Sequence, residues 1–174
     1  MEQKFIEWVA TLSTKFKQAQ SETVSFINHQ MISFFTDLGK EIHEARLKEK
    51  YGNGLIEEIS EEFLRTLPNK QIFSKENLEY VEAFYVLQLD ILRFLFEENP
   101  SVLDNPEKCA LLSADFFSKI AKISWMHHRV IIDFLSNKPK EAWLYINKAI
   151  KGGWTSKMLL ESIEEEFVFS SSLN

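Results

Sequence analysis

Apolar residues recur along most of this chain at three- and four-residue steps, the spacing that places them on one face of a helix. Phe5, Trp8, Val9, Leu12 and Phe16 form one such stripe and predict a first helix ending near Gln20. Ser21 is placed to cap a second helix, whose inward stripe is Val24, Ile27, Met31, Phe34, Phe35, Leu38 and Ile42 and whose stop is Gly52-Asn53-Gly54. Gly39 interrupts that stripe where a small residue would admit a neighbouring helix. A third helix, "LIEEISEEFLRTL", turns Leu55, Ile59, Phe63 and Leu67 inward and its glutamates outward, and Pro68-Asn69 ends it. Phe73 then precedes Ser74, an N-cap for "KENLEYVEAFYVLQLDILRFLF", and is placed to staple onto Leu78.

The apolar run from Ala83 to Phe96 is too short to span a membrane and contains Asp90 and Arg93, so it reads as a deeply buried core helix. "EENPSVLDNPEK" is the most loop-like stretch and divides the chain into a 1–100 half and a 101–174 half of one compact domain. Beyond it come helices over "CALLSADFFSKIAKI" and "SWMHHRVIIDFLS", then one opened by Pro139 and stopped at Gly152-Gly153, then one capped by Thr155. The serine-rich end "SSSLN" reads as frayed. The fold class expected is all-α: a compact multi-helix bundle of about eight helices. Two stretches have the layout of a helix-turn-helix unit, 55–88 and 140–166. No strand, fixed-period repeat or coiled-coil heptad pattern stands out.

Composition sharpens this picture in two respects. Five glycines and four prolines in 174 residues are too few for the tight turns of a sandwich or barrel. The single cysteine, Cys109, excludes an internal disulfide and, with no signal peptide in view, fits the cytoplasm. The net charge of −6 is unevenly spread. Residues 51–106 hold 4 basic and 11 acidic side chains, whereas residues 107–151 hold 8 basic and 4 acidic. Phosphate binding runs on lysine and arginine, so a nucleic-acid contact belongs to the basic segment.

Candidate chemistry concentrates at Trp125 to Arg129, where a tryptophan, two adjacent histidines and an arginine fall within five positions. Neighbours on a helix point about 100° apart, so His127 and His128 do not converge on one ion; helical zinc pairs sit four residues apart. His29 and His43 are remote in sequence, and no HExxH, CxxC, GxSxG or GxxxxGK[ST] pattern occurs. Cys109 lies in the apolar context "EKCALL", that of an inert buried thiol. The carboxylates fall on solvent faces of helices. The expectation is no catalysis, no cofactor and no metal.

Nucleic-acid recognition remains open. The recognition helix of the first helix-turn-helix unit would offer Lys75, Glu76, Asn77, Glu79 and Tyr80, and that of the second Thr155, Ser156 and Lys157. Trp125 is expected to anchor its helix in the core, with Arg129 covering the same surface one turn on. A histidine is then placed to join Lys119, Lys122 and Arg129 in a phosphate patch. The candidate nucleic-acid-binding residues are therefore Lys75, Asn77, Lys119, Lys122, His127, His128, Arg129 and Lys157.

Two stretches also resemble a known pattern. "FFTDLGKEIHEARLKEKYGNGLIEEISEEF" followed by "FSKENLEYVEAFY", and later "ISWMHHRVIIDFLSNKPKEAWLYINKAIKGGWTSKMLLESI", resemble the amino-terminal domain of the YhcG family over roughly residues 30–165. The matching positions include Gly39, Lys40, Tyr51, Gly52, Phe73, Ser74, Asn77, Trp125, His127, Arg129, Trp143, Gly153 and Trp154. That domain of unknown function stands before a PD-(D/E)XK nuclease domain. The resemblance implies a bacterial or phage-type cytoplasmic protein, a helical recognition module, and DNA or a nuclease as partner. It carries over no catalytic activity, because the nuclease half has no counterpart here. Where the family helix after the Phe-Ser step is rich in arginine, this one reads "KENLEYVEAF". The leading expectation is a non-catalytic DNA-binding or nuclease-associated module. The alternative is a protein–protein, oligomerisation or regulatory module with an acidic face over 55–82, in which a homo-oligomer is one outcome.

Overall fold

Helix α1 runs from Glu2 to Leu47 without a break. At 1.5 Å per residue it is roughly 70 Å long. The computed structural model describes the backbone of residues 2–48, 54–67 and 71–171, and the side chains of 11–48, 54–67 and 71–166. Along it follow α2 (Leu55–Thr66), a 3₁₀ turn (Gln71–Phe73), α3 (Lys75–Glu97), α4 (Pro100–Leu103), α5 (Pro106–Ile120), α6 (Trp125–Leu135), α7 (Pro139–Gly152) and α8 (Ser156–Ser171). Among the described residues there are eight helices and no strand, and the fold is an all-α bundle.

The count of eight agrees with expectation, but not helix for helix. Ser21 caps nothing. The hydroxyl of Thr23 donates to the Ala19 carbonyl, and the Gln18 amide to Glu22, both one turn apart along an uninterrupted helix. No glycine or proline lies between Met1 and Gly39 to stop it. The expected loop after Glu97 contains α4, nucleated by Pro100 at its first turn. Asn105 accepts from the backbone N–H groups of Glu107 and Lys108 and so starts α5 at Pro106. The stops at Gly52-Asn53 and Pro68-Asn69, and the last residues of "SSSLN", lie outside the described residues.

Other signals stand as read. Ser74 accepts from the Asn77 N–H at 3.3 Å, and Thr155 from the Met158 N–H at 3.2 Å. Pro139 occupies the first turn of α7, and Gly153 ends that helix in the left-handed region at φ 58°. Phe73 is buried, stacking on Phe63 with ring centroids 4.3 Å apart.

α3 is the axis of the molecule and packs against α1, α2, α6 and α7. Its residues Leu78, Val81, Phe84, Leu87, Ile91 and Leu95 are buried and join one continuous core with Ile32, Phe35 and Ile42 of α1. Phe116, Ile131, Leu135, Tyr145, Ile146, Leu159 and Ile163 complete that core from the other side. At Gly39 the backbones of α1 and α3 come close together. A Cβ there would run into the Val81 carbonyl oxygen and lie 2.8 Å from the Tyr85 Cβ.

The expected inward stripe of α1 reaches the core only from Met31 onward, through Met31, Phe35, Leu38 and Ile42, while Phe34 stays exposed. Every residue from 11 to 27 is exposed, including Leu12, Phe16, Val24 and Ile27. The side chains of Phe5, Trp8 and Val9 lie outside the described residues. The first half of α1 thus projects from the bundle as an arm. In α2 the expected stripe holds for Leu55, which is buried, and for Ile59 and Phe63, which pack half-buried against the core, but not for Leu67, which is 42% exposed. Ile56 and Ser60 are buried as well, and Ser60 donates to the Phe73 carbonyl at 2.8 Å. Cys109 is half-buried rather than enclosed, its thiol 3.1 Å from the Val102 carbonyl.

Candidate functional site

The tryptophan–histidine segment forms the start of α6, where α1, α3, α6 and the α7–α8 turn meet. Trp125 is half-buried against Phe35 and Phe84, with centroids 4.4 and 5.4 Å away. Its indole N–H donates to Asn77 Oδ1 at 2.8 Å, and the Asn77 amide donates to the Ile72 carbonyl at 2.7 Å. Asn77, expected on the outer face of a recognition helix, is buried and spends its side chain on the α3–α6 junction.

The two histidines diverge, as adjacent helical positions must. His127 Nδ1 accepts from the Ser124 backbone N–H at 3.3 Å and lies 2.7 Å from the Ser124 hydroxyl. That leaves the proton on Nε2, which donates to the Trp154 carbonyl at 2.8 Å and ties α6 to the α7–α8 turn. His128 is 2% exposed, and its Nε2 donates to the Ile120 carbonyl at 2.9 Å. Burial pushes its pKa down to about 4, outweighing the contact with the Ile120 carbonyl, which raises it. His128 is a neutral core residue at ordinary pH.

Arg129 lies on the outer side of the same junction. Its guanidinium bonds Glu76 at 2.7 Å and stacks over the Tyr80 ring at 4.2 Å. Tyr80 in turn donates to Asp133 at 2.5 Å. The bond to Asp133 raises the tyrosine's pKa, so the phenol keeps its proton. α3 and α6 are therefore joined twice, inside by Asn77 and Trp125 and outside by Glu76, Arg129, Tyr80 and Asp133.

The remaining candidate residues are dispersed. Lys119 bonds Asp115 at 2.7 Å and lies over the Trp143 ring. Lys122 is exposed in the α5–α6 turn. Lys75 reaches Glu57 at 2.5 Å, and Lys157 lies 3.6 Å from Glu161. The eight candidates thus divide into three buried groups at a helix junction (Asn77, His127, His128) and five cations held by different neighbours or solvent.

One buried carboxylate is not foreshadowed by the glutamate-rich pattern. Glu82 is 7% exposed, bonded by Arg46 at 2.8 Å with His43 at 3.7 Å. It forms the inner wall of a cleft of about 580 Å³ lined also by Glu79, Asp90, Ser136 and Asn137. The clue in the sequence is spacing: Leu78, Glu82 and Tyr85 share one face of α3. The pair clamps α1 to α3, and Arg46 balances the charge of Glu82. Among the described residues no three His, Cys, Asp or Glu side chains converge to hold a metal ion. Nor, among them, is any helix long and apolar enough to cross a membrane.

A family model described as the DUF1016 N-terminal domain matches residues 11–169, nearly the whole chain. No curated protein and no solved structure matches it. The chain belongs to that family, the amino-terminal domain of YhcG-like proteins.

Proposed function

We propose that this member of the DUF1016 N-terminal domain family is a non-catalytic recognition module that works by protein–protein contact. The observation that carries the reading is the arm. Residues 11–27 are exposed on all sides, yet include Leu12, Phe16, Phe26 and Ile27, with Phe16 and Phe26 each about two-thirds exposed. A solvated helix gains nothing from large apolar side chains; a contiguous exposed row of them marks a protein interface.

The distribution of cations supports the same choice over phosphate binding. All four arginines are held by carboxylates: Arg46 by Glu82, Arg65 by Glu62, Arg93 by Asp90 and Arg129 by Glu76. Arginine is the main reader of guanine edges and of phosphate, and here each guanidinium already has a carboxylate neighbour. An exposed pair is worth under about 1 kcal/mol and exchanges partners easily, so pairing alone does not forbid DNA. The burial of Asn77, His127 and His128 and the acidic total of −6 add the rest. A PD-(D/E)XK nuclease domain, the partner that the family resemblance implies, suits a protein-contact module as well as a DNA-binding one.

The test titrates labelled duplex, branched and single-stranded DNA at low and moderate salt, with mass by light scattering on the same sample. The expected result is no retained DNA and a mass above that of one chain or a stable complex with a nuclease domain. DNA affinity that falls steeply as salt rises, the mark of counterion release, would overturn the proposal.

A further inference from the structure

The continuity of α1 exposes a seam that a break at Ser21 would have cut in two. Leu12, Phe16, Ala19, Thr23 and Phe26 follow one another at alternating four- and three-residue steps on one exposed side of the arm. This is the a/d spacing of a coiled coil, with Phe16 and Thr23 at a and Leu12, Ala19 and Phe26 at d. Lys15 and Glu22 take the flanking g positions one heptad apart. By contrast, the residues of α1 that enter the core (Ile32, Phe35 and Ile42) lie on a face rotated by roughly 150°, nearly half a turn, from that seam. The seam is therefore free of the bundle.

We infer that the arm of one chain pairs antiparallel with the arm of a second copy, about a two-fold axis between residues 17 and 18. This rests on the reading of the chain as a protein-contact module and names its partner. Antiparallel coils place a opposite d and g opposite g. In this register Phe16 meets Ala19 of the second copy and Leu12 meets Thr23, each large residue against a smaller one. Lys15 lies beside Glu22 of the second copy, and the symmetry repeats that pair. A parallel pairing sets g against e, Lys15 beside Gln20 and Glu22 beside Ile27, and gains no ion pair. The charges thus select one orientation.

Area agrees with that register. The exposed parts of Phe16 and Phe26 amount to roughly 250 Å² per chain. Doubled by symmetry and extended by Leu12, Ile27 and the stems of Lys15 and Glu22, this reaches the ~1,000 Å² that a specific interface needs.

The experiment is a charge exchange read by sedimentation. The full chain is expected to be a dimer at tens of micromolar. Lys15→Glu alone sets two carboxylates together across the seam, and Glu22→Lys alone sets two ammonium groups together, so each variant should dissociate at least about tenfold more readily. Mixed in equal amounts, the two should restore a heterodimer, because each then supplies the charge the other lacks. Phe16→Glu should be monomeric, with a thermal melt matching that of the wild-type chain diluted to a monomer, since the exposed side chain is not part of the core. A monomeric full chain overturns the inference, as does a dimer indifferent to both reversals and to their mixing. A monomer that also ignores DNA sinks self-pairing but leaves protein contact with another partner standing. Salt-sensitive DNA binding sinks the functional reading itself.

Discussion

At the scale of single residues, burial decides which side chains serve the fold. Gly39 is the clearest case. Alanine in a helix interior is favoured over glycine by about 1 kcal/mol, so the sequence alone would nominate Gly39→Ala as stabilising. The added carbon meets the Val81 carbonyl oxygen, a backbone atom that cannot rotate away. Overpacking of this kind costs about 1–3 kcal/mol. The variant should lose stability on balance, measured as a lower urea midpoint at unchanged slope. His128 offers a test with a sign. Its folded pKa is lowered from 6.5 to about 4 by burial, so the unfolded chain binds the proton more readily. Stability is then complete above 6.5 and falls as pH drops toward 4, by on the order of 3 kcal/mol at the acid end. His128→Gln should flatten that part of the wild-type dependence. A pH profile identical in the two proteins would place the titrating group elsewhere. The sequence marks the pair at 127 and 128 as notable. It does not tell which way each ring points, because that depends on the Ile120 and Trp154 carbonyls, which packing of other helices delivers.

At the scale of helices, local signals were legible where they are chemical and illegible where they depend on a neighbour. Ser74, Thr155, Pro139 and Gly153 act as caps and stops because their hydroxyls, ring or missing Cβ satisfy the terminus unaided. Ser21 has the same chemistry but no reason for the chain to leave the helix: the residues on either side are good helix formers, and neighbouring side chains bond within the turn. Asn105 follows Pro100 and precedes Pro106, and there the chain does leave. The contrast is measurable. Ser21→Ala should change stability by less than about 0.5 kcal/mol, whereas Asn105→Ala, which strips the cap of α5, should cost about 1 kcal/mol. The candidate site fared likewise. The sequence singled out Trp125 to Arg129, and this segment is a junction of four elements. Its role as an interior joint rather than a ligand surface came from Asn77 and Glu76 of α3, some 50 residues away in the chain.

At the scale of the molecule, the arm and the bundle are under different control. The bundle is held by one core in which α3 touches most other helices, so its slowest-exchanging amides should lie in α3 and in the second half of α1. The arm has no such support within its own chain. An isolated helical stretch of this length is marginal in water, because nucleation is costly and each added bond contributes little. In a lone chain the amides of residues 11–24 should therefore exchange fast, with protection declining steadily away from Met31. Pairing with a second copy couples that stretch to concentration by mass action. Hydrogen exchange read by mass spectrometry at two protein concentrations separates the contributions. Protection over 11–27 is expected to rise with concentration while that over 31–45 stays constant. Protection that is high and concentration-independent in both would mean that the arm folds back on its own bundle, a contact that the exposure of Leu12, Phe16 and Phe26 does not accommodate.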